Sequence, residues 1–128
     1  MKIQPSKKAF SLSLGDRGEM IAAAYLAEHG YKIIDKKART SFGELDLIAQ
    51  IKDILVFVEV KTRSSKQFGL PEEAVGAEKQ KRMILLASAY IQKNALSKVK
   101  ARFDVISILY DQAHSPQIRH IPNAFEAE

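Results

Sequence analysis

Within the most strand-like stretch of this sequence, GELDLIAQIKDILVFVEVKTR from Gly43 to Arg63, four charged side chains are set among Leu, Ile, Val and Phe. They are Glu44, Asp46, Glu59 and Lys61. Side chains alternate between the two faces of a strand. Glu44, Asp46 and Ile48 therefore share a face on one strand, and Leu55, Phe57, Glu59 and Lys61 share a face on the next. Gln50 to Asp53 is too short a link for anything but an antiparallel hairpin. A loop of two or four residues sets Asp46 opposite Glu59, with Cβ atoms about 5 Å apart. A loop of three or five breaks that pairing. Neither even loop carries the favoured Asn-Gly type, so turn chemistry alone leaves the register open.

Two opposed carboxylates on a sheet repel each other. A buried carboxylate without a partner takes up a proton rather than stay charged. A divalent cation removes both costs. Mg²⁺ favours oxygen ligands, typically one or two carboxylates, with water and substrate phosphates completing its shell. Lys61 emerges beside Glu59, where it is placed to orient water or to stabilise charge building on a phosphate. The plainer alternative is a solvated Glu59–Lys61 pair on an edge strand. Against it, the flanking VFV and LIA runs are core-like.

These groups need a frame. Alanine and leucine favour a helix from about Asp16 to His29, closed by Gly30. Strands are expected at Tyr31–Lys37, Glu44–Ala49 and Ile54–Thr62, with Arg39 to Gly43 as a turn or loop. Ser64 to Leu70 reads as a loop. Pro71, Glu72 and Glu73 suit a helix start, although Gly76 can delay it to about Ala77. The second helix buries Met83, Leu86, Ala87 and Tyr90 at helical spacing and carries Lys81, Arg82 and Lys93 on its other face. Lys79 falls on the buried stripe. Phe103–Tyr110 reads as a buried strand, and Gln117–Ile121 as a short edge strand ended by Pro122. The order is α-β-β-β-α-β-β, an α/β domain with a mixed sheet flanked by helices. Residues 1–13 read as a flexible basic segment ahead of a single domain at 14–125.

Asp46 followed by Glu59-Val60-Lys61 resembles the PD-(D/E)xK nuclease motif, with Leu45 where that motif has proline. A longer match is more specific. GDRGEMIAAAYLAEHGYKIIDKKART, FGELDLIA, LVFVEVKTRSSKQFG, the K-x-x-R of the second helix, RFDVISI and HIPNAF together resemble the YraN / UPF0102 family, over about Gly15 to Phe125. The resemblance implies a restriction-endonuclease-like fold akin to archaeal Holliday-junction resolvases. It implies Asp46, Glu59 and the backbone carbonyl of Val60 as metal ligands, with Lys61 as the catalytic lysine. It also brings Glu19 of the first helix near the metal. Asp16-x-x-Glu19 fits a capping box equally well, whereas Glu19 shares a helical face with Ala22, Ala23 and Leu26; both readings stay open. Arg63 and Lys66, with Lys79 and Arg82 of the second helix, are expected to face phosphates. Asp104, beside Arg102, is expected to form a buried salt bridge or a turn contact rather than to act in catalysis.

A net charge of +5 favours an anionic partner. The expected activity is hydrolysis of DNA, branched or structured, by a Mg²⁺- or Mn²⁺-dependent endonuclease; RNA is the less favoured substrate. The alternative is a non-catalytic nucleic-acid-binding module on the same scaffold. Two-fold symmetry suits a branched substrate, so a homodimer is compatible with this reading. The chain has no cysteine, which excludes disulfides and thiolate chemistry. No signal peptide or membrane-spanning run is evident, so a cytoplasmic protein is expected. No zinc-peptidase histidine pair and no serine-hydrolase elbow is present.

Overall fold

Ser13 starts the first helix. Its hydroxyl accepts the Asp16 amide at 3.1 Å, satisfying one of the donors that a helix leaves free at its amino end. This helix, α1, runs Leu14–Glu28, and Gly30 at φ 88° follows it in the left-handed conformation that favours glycine. Strands β1 (Lys32–Thr40), β2 (Gly43–Ile51) and β3 (Ile54–Arg63) come next, then α2 (Ala77–Lys93), β4 (Lys100–Leu109) and β5 (Gln117–Phe125). The computed structural model describes residues 13–64, 75–96, 98–110 and 115–127. The basic segment at 1–13 thus lies, but for Ser13, outside the described residues, as do Lys66 and the Pro71–Glu73 helix start.

The five strands form one mixed sheet in the order β1-β2-β3-β4-β5. Only β3 and β4 are parallel, and α2 makes the crossover between them. Alternation splits the core between the two faces. Ala22, Ala23 and Leu26 of α1 pack on Leu47, Ala49, Val56, Val58, Ile106 and Ile108. Met83, Leu86, Ala87 and Tyr90 of α2 pack on Ile48, Leu55, Phe57, Phe103 and Phe125. The α-β-β-β-α-β-β order and the flanked mixed sheet are as the sequence predicts.

The ends of three elements differ from expectation. β1 runs on to Thr40, leaving only Ser41-Phe42 as a two-residue turn before Gly43. Its polar residues are compatible with a strand because β1 is an edge of the sheet. β5 passes through Pro122 to Phe125 rather than stopping there. It too is an edge strand, where a missing amide is tolerated. A bulge opposite Asp104 absorbs the proline, with Asn123 at φ 51° and its amide donating to Asp104 Oδ1 at 3.0 Å. Finally, α1 begins two residues before Asp16, so Ser13 is the cap and Glu19 is not part of a capping box.

Candidate metal and nucleic-acid site

The β2–β3 hairpin settles the register. Ile51 pairs with Ile54 and Leu47 with Val58, around a two-residue Lys52-Asp53 loop with Lys52 at φ 53°. One further step sets Asp46 against Glu59. The ladder stops short of that step, and the Val60 amide donates instead to Asp46 Oδ2 at 3.0 Å. The Asp46 side chain thus stands in for the backbone acceptor that Val60 would otherwise find across the ladder. The ladder therefore ends where the two carboxylates lie.

Burial pushes the Asp46 carboxyl up to about 7, and the Glu59 charge beside it adds to the rise. The Val60 amide acts the other way, and the charge of Glu19 raises it further. Glu59 projects on the α2 side of the sheet, where Lys79 Nζ lies 2.8 Å from its Oε1. Lys79 therefore reaches toward the sheet rather than only snorkelling to solvent, the commoner fate of a lysine on such a stripe.

Glu19 arrives from α1, on the other face. Its close approach depends on Gly18, where a Cβ would clash with the Thr62 side chain. The helix can touch β3 there only because residue 18 has no side chain. Lys37 Nζ holds Glu19 at 3.3 Å and Asp16 at 2.7 Å. Burial nevertheless raises the Glu19 carboxyl above its ordinary value, outweighing the pull of Lys37. The Asp16 carboxyl is lowered by the same ammonium. Lys37 itself, at φ 49° in β1, gives no signal in the sequence beyond its place in a basic run.

The structure thus brings Asp46, Glu59, the Val60 amide and Lys79 together, with Glu19 near enough for its charge to be felt at Asp46. Among the described residues, no three histidine or acidic side chains form a cluster able to hold an ion unaided. Glu19 and Glu59 are each engaged by a lysine instead. Lys61 follows Glu59 on the same face of β3 and is half-buried. Arg63 is half-buried too, and its carbonyl accepts the Tyr110 amide at 2.7 Å. Arg82 is exposed and lies over the start of β2, since a Cβ on Gly43 would meet its Nη2 at 3.0 Å. Gly43 sits at φ 136°, a conformation that favours glycine.

A second polar cluster is structural. Asp104 is fully buried and accepts two hydrogen bonds from Arg102, both at 2.9 Å. His120 Nε2 lies 2.7 Å from its Oδ2, and Arg102 also donates to the Tyr31 hydroxyl at 2.8 Å. The salt bridge is as the sequence predicts. The role of His120 is not, because a histidine in a polar edge strand gives no sign of a buried partner.

The chain has relatives among known proteins. The model of "Uncharacterised protein family UPF0102" matches residues 18–108. A UPF0102 protein of Syntrophotalea carbinolica is 44% identical over 117 residues, covering 91% of this chain and 94% of the relative. One from Rhodococcus opacus is 46% identical over 117 residues, covering 91% and 99%. Among solved structures, Pyrococcus furiosus SfsA in complex with Ca²⁺ aligns with TM-score 0.43 and 17% identity, over 84% of this chain and 62% of that one. No helix among the described residues is long and apolar enough to cross a membrane.

Proposed function

The chain belongs to the UPF0102 family, and from that premise we propose that it is a metal-dependent endonuclease acting on DNA with the restriction-endonuclease-like D…E-x-K arrangement. The observation that carries the reading is the Asp46–Glu59 pair, set where the ladder of β2 and β3 ends and strained enough to raise Asp46 to about 7. A chain with only a fold to maintain gains nothing from two facing, half-buried carboxylates. Perturbed groups of this kind concentrate at functional sites.

The donor set fits a hard divalent cation. Mg²⁺ or Mn²⁺ would be held by Asp46 and Glu59, with the Val60 carbonyl as a third ligand and Glu19 in support. When bound, such a cation supplies positive charge for a phosphodiester and lowers the pKa of water. The protein's own groups do the rest. The Val60 amide fixes the orientation of Asp46. Lys61 stabilises charge growing on the phosphate and positions the attacking water. Lys79 and Arg82 on α2, with Arg63 and Lys66, bind the phosphate backbone. Titration calorimetry tests the ligand assignment. The wild type should bind Mn²⁺ and Asp46→Asn should bind it at least tenfold more weakly; equal affinity removes Asp46 from the metal site.

A further inference from the structure

The turn between β1 and β2 leaves Phe42 half-exposed, at 52%, where a globular domain has no need of an aromatic ring. Phe42 forms one wall of an open groove of about 780 Å³, and the outer face of α2 forms the other. Leu85, 46% exposed, faces it from α2, and Lys93 and Arg39 stand at the rim, Arg39 with its Nε 3.5 Å from Glu44 Oε2. The described lining contains no carboxylate. Lys93 Nζ lies 3.4 Å from the Arg39 carbonyl, which ties the helix end to the hairpin.

Helix α2 is shared by the groove and the carboxylate site. Lys79 at Glu59, Arg82 over Gly43, Leu85 at the groove and Lys93 at its far end follow one another along α2. At 1.5 Å per residue, Leu85 lies about 9 Å and Lys93 about 21 Å along the axis from Lys79. That is the length of roughly three to six stacked nucleotides. A cationic track interrupted by an exposed aromatic and an apolar face is the composition that binds single strands, in which phosphates meet cations and bases stack on rings.

We infer that this groove holds an unpaired nucleic-acid strand leading away from the carboxylates, with a base stacked on Phe42. The inference rests on the nuclease reading for its direction and narrows the substrate to nucleic acid with unpaired bases beside the scissile phosphate. A second copy of this chain is a poorer occupant, because a protein of net charge +5 would bring like charge to a cationic rim.

The test is binding without catalysis. Fluorescence anisotropy with the full chain, in EDTA at low salt, compares a labelled single-stranded oligonucleotide with a blunt duplex. Phe42→Ala should weaken single-strand binding about tenfold and leave duplex binding within about twofold. Phe42→Trp should restore it, and a 2-aminopurine base in the strand should be quenched by wild type but not by Phe42→Ala. The turn position is exposed, so the variants should keep the wild-type circular dichroism. Three results overturn the inference: no single-strand affinity in wild type, equal affinity in Phe42→Ala, or an effect of Phe42→Ala on sedimentation alone. The last would mark a self-association surface. Single-strand binding through Phe42 without cleavage would keep the groove and lose the nuclease. Cleavage through Asp46 with a neutral Phe42→Ala would do the reverse.

Discussion

Replacing Asp46 by asparagine should make the metal-free protein more stable. Burial and the facing Glu59 raise the Asp46 carboxyl from 3.8 to about 7 in the folded chain. Between those values the unfolded chain has released a proton that the native chain still holds. Native stability therefore falls as pH rises through this window, and the full cost is present above pH 7. A shift of about three units corresponds to roughly 4 kcal/mol as a ceiling, and coupling between the two carboxylates lowers the expected gain to about 2–4 kcal/mol. The substitution removes the charge, and the amide oxygen of the new side chain can still accept the Val60 amide. In EDTA at pH 8, Asp46→Asn should gain about 2–4 kcal/mol in urea unfolding, or about 6–15 °C in melting temperature. At pH 4 the two proteins should differ little. A mutant no more stable than wild type at pH 8, or a gain independent of pH, would refute the idea that this cluster stores electrostatic strain.

Other consequences follow from the same geometry. Gly18→Ala forces a methyl into Thr62 and should cost about 3 kcal/mol or more, since overpacking a close helix–sheet contact is not relieved by a small shift; thermal melting checks it. Asp104→Ala strands the Arg102 guanidinium beside a buried cavity and should cost about 3–5 kcal/mol in chemical denaturation. Lys61→Ala should leave Mn²⁺ affinity within about twofold while lowering cleavage by about 100-fold, and equal cleavage rates would remove Lys61 from the mechanism.

Much of the fold can be read from periodicity. The alternation around Glu59 and the buried stripe of α2 both survive in the structure, because apolar spacing dictates which face is covered. The hairpin register cannot be read in the same way. Lys52-Asp53 is an unfavoured turn whose positive φ at a lysine carries no sequence signal, so packing of Ile48 and Phe57 on one face and Leu47 and Val58 on the other must fix it. Local rules fail at Glu19 for a similar reason. Asp16-x-x-Glu19 looks like a cap, yet Ser13 does that work and Gly18 holds the helix close to β3. Pro122 misleads because a proline ends a strand only where its amide is needed, and edge position is a property of the sheet. Phe42 and His120 escape a sequence reading because their meaning lies in distant partners: α2 for the first, Asp104 for the second.

The most direct test of the central claim is cleavage at low salt with Mn²⁺, comparing wild type with Asp46→Asn on duplex, single-stranded, flap and four-way-junction DNA and on RNA. The account predicts that wild type cuts DNA containing unpaired bases, that EDTA abolishes cutting, and that Asp46→Asn is inactive although more stable. Cleavage unchanged in the mutant, or wild-type protein that binds Mn²⁺ and these DNAs yet cuts none of them, would contradict it.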